Sequence, residues 1–278
     1  MPSPDTAGGR PGPTAAAPRH RRALRVTVLV VLAAAVAAAG WWHLPRPPAA
    51  APASPVLARG YRITADGQVR KISTNWAGYA RRAGAPHTQA SATWRLPAIA
   101  CTGTNTNASF WAGLGGIKSR NVEQAGVQAL CRSGHPVYAA WWQLFPGPAA
   151  PIAIGAHPGD VIAVAVANPA GTQVSIDLAD LTTGQHVHIT RRTPGARLTS
   201  AEIIAEQNGD TIGPLSRFGS VTFTAARIDN HPLSQAGAYT LDMVDSNGHP
   251  RAIPGPITGD GTFTVRTTPP GPAAHHNK

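Results

Sequence analysis

Runs of alternating or uniformly apolar residues recur at 89–96, 108–114, 137–145, 161–167, 173–179, 185–190, 201–206, 219–224 and 261–266. Between them stand turn formers: Pro146-Gly147, Pro158-Gly159-Asp160, Asn168 to Gly171, Thr183-Gly184, Asn208-Gly209-Asp210, Asn247-Gly248 and Gly259-Asp260-Gly261. A period of two over four to nine residues, closed by Gly, Pro, Asn or Asp, is the signature of a strand. Strands at this spacing predict an antiparallel sandwich or barrel rather than a βαβ fold. With 29 glycines and 27 prolines, and only 13% charged residues, the composition agrees.

The N-terminal end follows a different pattern. Residues 1–25 are rich in Pro, Gly and Ala and finish in the basic cluster Arg19 to Arg25. Residues 26–42 then carry no charge, which is about the minimum length for a bilayer span, and the basic flank predicts that residues 1–25 stay on the cytoplasmic side. This hydrophobic helix is read as a signal anchor, or as a signal peptide cleaved after the small residues Ala37 to Ala39. Residues 43–58 read as a Pro/Ala linker, 59–266 as the folded domain and 267–278 as a disordered tail. The expected location is therefore extracellular, or the outer face of the cell membrane, with membrane contact through 26–42 if uncleaved.

Of the formal charge of +11, +5 falls within the first 46 residues and +6 beyond them, where 18 bases face 12 acids. They are scattered, with no basic stripe interleaved with aromatics, so a nucleic-acid partner is not expected. An anionic cell envelope is the blander explanation of the charge. Cys101 and Cys131 are the only cysteines and neither belongs to a CxxC pair. In an exported domain they predict a structural disulfide; two unrelated buried thiols are the other reading.

Several familiar active sites are excluded by their missing motifs. There is no HExxH, no GxSxG elbow, no P-loop and no glycine-rich dinucleotide turn. His186 and His188 share a strand face without an identifiable third ligand, so no metal and no cofactor are expected. The glutamates carry more information, because only Glu123, Glu202 and Glu206 exist. Glu202 and Glu206 lie four apart and hence on one strand face. On an inner face two carboxyls are costly unless bonded or functional, while on a solvent face they are unremarkable. Periodicity leaves both possibilities open.

The order of short motifs is more specific. Ser73-Thr74-Asn75-Trp76-Ala77-Gly78, Ala92 to Pro97, Ser109 to Gly116, Glu123-Gln124-Ala125-Gly126-Val127, Tyr138 to Pro146, Leu181 to Gln185, Ala201 to Glu206 and Phe218 to Thr224 follow one another along the chain. In this order the chain resembles the glutamic peptidases, the eqolisin group, over roughly residues 72–266, as a bacterial-type member. The resemblance implies a pair of packed, curved antiparallel sheets of the concanavalin-like, jelly-roll type with a cleft on the concave face. It also implies a catalytic glutamine at Gln124 and a catalytic glutamate at the second acid of the AExxxE strand, Glu206. Trp111, Trp141 and Trp142 become candidates for gripping a peptide substrate in the cleft.

A monomeric endopeptidase acting on proteins or peptides at acidic pH follows from that resemblance. At three positions where fungal members often carry acids this chain has Gly115, Gln128 and Gln143. Fewer neighbouring negative charges should ease ionisation of Glu206 and make the pH optimum less extreme. The same losses leave a second reading open: a catalytically inactive surface module that binds peptide or glycan.

Overall fold

The computed structural model describes residues 60–63, 69–101, 105–119, 121–209 and 214–269. The hydrophobic helix expected at 26–42 and the linker at 43–58 lie outside the described residues. In chain order the strands are β1 (Tyr61–Ile63), β2 (Val69–Ser73), β3 (Trp76–Arg82), β4 (Gln89–Arg95), β5 (Asn107–Gly115), β6 (Val122–Arg132), β7 (His135–Phe145), β8 (Ala150–Pro151) and β9 (Val161–Ala167). There follow β10 (Gln173–Asp180), β11 (Gln185–Arg192), β12 (Ser200–Glu206), β13 (Ser220–Ile228), β14 (His231–Pro232), β15 (Tyr239–Val244), β16 (Pro250–Pro254) and β17 (Phe263–Thr267). Among the described residues the helical content is one 3₁₀ turn, Leu233–Gln235.

Pairing organises these strands into two layers. The first runs β8-β7-β6-β5-β12-β3-β15-β2-β1, antiparallel except for the β15–β2 pair. The second runs β11-β10-β9-β4-β13-β17-β16, with β14 folded back on β13. Because β16 also pairs with β15, one edge of the sandwich is stitched together by backbone hydrogen bonds. Of the antiparallel sandwich or barrel expected from turn spacing, the sandwich is the observed architecture.

Alternation decides which side of the first sheet meets the second. Tyr79, Phe110, Leu114, Val127 and Ile203 point inward and pack against Trp94, Ile162, Val164, Ile176 and Phe223 of the second sheet. The other face of the same strands carries a smaller apolar cluster of Trp76, Trp111, Trp141 and Ile204. Each aromatic or aliphatic side chain fully removed from water contributes on the order of 1.5–3 kcal/mol, so the inward face dominates stability. Strand β6 is buried along almost its whole length on both faces. For that reason it lacks a clean alternation of polar and apolar residues, and neither it nor β3 is legible as a strand in the pattern.

Two glycines shape the outer cluster. A β-carbon on Gly126 would stand 2.6 Å from the Trp111 β-carbon, and one on Gly113 would stand 2.9 Å from that of Gln124. Both positions need a missing side chain so that the bulky neighbour on the adjoining strand can occupy the space.

A disulfide joins Cys101, beyond β4, to Cys131 near the end of β6, with Cα atoms 5.4 Å apart and 30 residues of sequence separation. Closing a loop of that length lowers the entropy of the unfolded chain. Replacing both cysteines by serine is therefore expected to lower unfolding free energy by about 3–4 kcal/mol on the loop-entropy scale, read as a shift in the chemical denaturation midpoint of full-length protein. An unchanged midpoint would show that the bond adds nothing to stability.

Candidate active site

The face of the first sheet that does not meet the second carries most of the candidate residues. In register, Ala80, Glu202, Gly113, Gln124 and Gln143 form one cross-strand row. Trp76, Glu206, Ser109, Gln128 and Ala139 form another, four residues along. Between them runs the row Gly78, Ile204, Trp111, Gly126, Trp141. Period two places all three rows on one face. Gln124 and Glu206 thus flank β5 from either side, with Trp111 standing between their rows.

Glu206 is held by a built set of donors. The Trp111 indole N–H donates to Oε2 at 2.7 Å and the Asn75 amide donates to Oε1 at 3.1 Å. Asn75 is itself oriented by the tight turn between β2 and β3. The Ser73 hydroxyl donates to Asn75 Oδ1 at 3.2 Å while accepting the Trp76 backbone N–H at 3.1 Å. With its oxygen engaged, Asn75 presents its NH₂ group to Glu206. Trp76 stands opposite Glu206 in register and meets Trp111 edge to face at 4.9 Å. Its indole N–H makes no hydrogen bond of good geometry, yet its dipole still favours the charged carboxylate.

Those donors do not offset burial. Desolvation pushes the Glu206 carboxyl up to about 8, against the opposing pull of Trp76, Trp111 and Asn75. Taking a carboxylate out of water penalises its charged form more than neutral donors repay. Burial is thus the largest influence on this group.

Glu202 is wholly buried on the same face, and neither carboxyl oxygen makes a hydrogen bond of good geometry. Burial raises it well above the ordinary range, with Ser200 and the Ile117 backbone N–H pulling weakly the other way. Glu123 lies on the opposite, inward face, where the Asn168 amide donates to both its oxygens at 2.9 and 3.0 Å. Its carboxyl is likewise raised by desolvation.

Gln124 is buried, and its Nε2 donates to Gln143 Oε1 at 2.8 Å. Of the aromatic candidates, Trp111 and Trp141 share the face of Gln124 and Glu206, and both are almost completely buried. Trp142 does not share it. One residue on from Trp141, it turns inward, packs against the main core and lies under the Arg191 guanidinium at 5.1 Å. Asn75 and Trp76 were not singled out by sequence reasoning, although the SxNWAG segment contains both. On the second sheet, Asp177 lies between His186 and His188, at 3.0 and 2.8 Å. No group of three metal-ligating side chains with suitable geometry occurs among the described residues.

A two-layer antiparallel β-sandwich thus gathers a buried carboxyl, a buried glutamine and buried tryptophans on one face of its first sheet. The Peptidase A4 family model matches residues 74–267, and the chain belongs to that family. It is 29% identical over 182 residues to aspergillopepsin-2 of Aspergillus niger, spanning 56% of this chain and 64% of that relative. Among solved structures, scytalido-glutamic peptidase with a peptide-based transition-state analog superposes with a TM-score of 0.60 at 25% identity, over 70% of this chain and 98% of that one. SCP-B, an eqolisin-family peptidase in complex with the tripeptide Ala-Ile-His, shares the fold with a TM-score of 0.57 at 22% identity, over 70% of this chain and 98% of that one.

The raised carboxyls set the pH dependence of stability. A carboxyl whose folded pKa exceeds its unfolded value binds more protons when folded, so stability falls as pH climbs between the two values. For Glu206 that window opens near 4.5 and closes near 8, and Glu202 and Glu123 add to the fall in the same direction. Asp180, Asp229 and Asp245 are lowered by hydrogen bonds despite their desolvation, so they withdraw stability only as pH drops below the ordinary carboxyl range. The thermal midpoint is thus expected to peak in mild acid and to decline steadily toward pH 8. Glu202→Gln should make that decline shallower, and a midpoint that rises from pH 5 to 8 would refute the account.

Proposed function

We propose that this chain is an exported peptidase in which Gln124 and Glu206 activate a water against the scissile carbonyl of a protein or peptide. The observation that carries the reading is the donor cage of Asn75 and Trp111 around one carboxyl, on the same sheet face as a buried glutamine. Membership of a peptidase family supports it. Export is supported by the Cys101–Cys131 disulfide, since such bonds persist in oxidising compartments.

In this mechanism ionised Glu206 accepts a proton from water as its oxygen bonds to the carbonyl carbon. The carbonyl oxygen gains negative charge, which the free amide N–H of Gln124 stabilises, while Gln124 Oε1 orients the water. Protonated Glu206 then returns the proton to the leaving amine as the C–N bond breaks. The tryptophans give the face an apolar lining suited to an extended chain.

Register favours one competing assignment. Glu202 stands directly across Gly113 from Gln124, whereas Glu206 is four residues farther along β12. Hydrogen bonding favours Glu206, because its two oxygens are held by side-chain donors and those of Glu202 are not. Digestion of an unfolded protein by full-length wild type and three variants separates them. Glu206→Gln and Gln124→Ala should each lower kcat by at least about a thousandfold, the scale of losing a proton-transfer group or an oxyanion donor. Glu202→Gln should retain most of it. The reverse pattern would move the base to Glu202, and equal inertness of wild type and variants would favour the binding module.

The pH profile supplies a second test. A base with a pKa of about 8 is mostly protonated in acid, so kcat/KM should rise with pH and level off only above about 8. The falling stability trims that rise, so the working range is expected around neutral pH. A kcat/KM that falls steadily between pH 4 and 7 would exclude ionised Glu206 as the base of the free enzyme.

A further inference from the structure

Gln143 stands directly opposite Gln124 on the neighbouring strand, and both side chains are buried. Its Nε2 donates to the Gly147 backbone carbonyl at 2.8 Å, and its Oε1 accepts from Gln124 Nε2 at 2.8 Å. These two bonds have a fixed direction. A backbone carbonyl only accepts, so the NH₂ end of Gln143 must face Gly147. The oxygen end must then face β6, where it too only accepts. Gln124 therefore has to present its NH₂ group to Gln143. A flip of either amide would set two acceptors, or two donors, against each other in a buried site.

The relay leaves Gln124 with two defined groups for chemistry. One is its second amide hydrogen. The other is Oε1, which has no hydrogen-bond partner among the described residues. We infer that Gln143, anchored by the Gly147 carbonyl, is a positioning residue that fixes the amide sense of Gln124. It touches neither substrate nor water in this role. The inference rests on the reading of Gln124 as the catalytic amide, and it extends that reading to a second residue. Because both members of the relay are neutral amides, the orientation it imposes does not titrate. A carboxyl in place of Gln143 would act differently. Protonated, it still donates to Gly147 and accepts from Gln124; ionised, it sets a negative oxygen against the Gly147 carbonyl.

Two substitutions in the full-length protein separate these roles. Gln143→Leu removes both bonds and is expected to lower kcat on the order of ten- to a hundredfold, with KM little changed, because a misoriented amide weakens only transition-state contacts. Gln143→Glu should approach wild-type kcat at the acid end and fall relative to wild type as its carboxyl ionises, so that the ratio of the two profiles bends with pH. A Gln143→Leu protein that keeps wild-type kcat overturns the inference. So does a Gln143→Glu protein impaired by the same factor at every pH, which would mark a merely structural contact.

A readout independent of turnover completes the test. In protein labelled with ¹⁵N-glutamine, the Gln124 side-chain signal, assigned by its loss in Gln124→Ala, should show one amide hydrogen protected from solvent exchange. That protection should disappear in Gln143→Leu. Absence of protection in wild type overturns the relay whatever the kinetics show. Protection together with undiminished cleavage by Gln124→Ala would instead overturn the catalytic reading of Gln124 while leaving the relay in place.

Discussion

The hydrogen bond from the Trp111 indole to Glu206 depends on nearly everything else in the first sheet. The indole can lie along β5 only because Gly126 and Gly113 offer no β-carbon on that side. Its ring is braced edge-on by Trp76, which begins β3, and the turn just before β3 also aims Asn75 at the same carboxyl. One polar contact thus ties together four features: two glycines, an aromatic pair, a serine-held turn and a buried acid. The Gly126 position is the most sensitive of these, since even a methyl group there collides with the Trp111 backbone and side chain.

Burial of that acid creates opposing demands. The fold is most stable when Glu206, Glu202 and Glu123 are protonated, whereas a general base has to be ionised to work. Neutral donors reduce the conflict without removing it. No charge partner is involved in holding Glu206, so its pKa responds chiefly to how dry the site is.

The sandwich was legible in the sequence because most strands have one dry face and therefore alternate. β9 runs over the same residues, 161–167, that the pattern marks. β6 escaped because it is covered on both sides and places Glu123, Gln124 and Gln128 inside, so its polar residues mimic a loop. At the site, motif order pointed to Gln124 and Glu206, but no one-dimensional pattern could say that Asn75 reaches Glu206 from 131 residues away. Trp142 sits on the core side for a simpler reason. Adjacent residues of a strand face opposite ways, so Trp141 and Trp142 could never line the same surface.

Strand β11 ends the second sheet, pairing only with β10 among the described strands. A free strand edge is a template on which another chain can add by backbone hydrogen bonding. Here that edge is lined by His186, His188, Arg191 and Arg192, and nearly all of its residues are exposed. The Arg191 guanidinium is also drawn across Trp142, covering an aromatic surface next to the edge. Basic side chains at such an edge work against its extension by a second copy, because like charges would be brought close together.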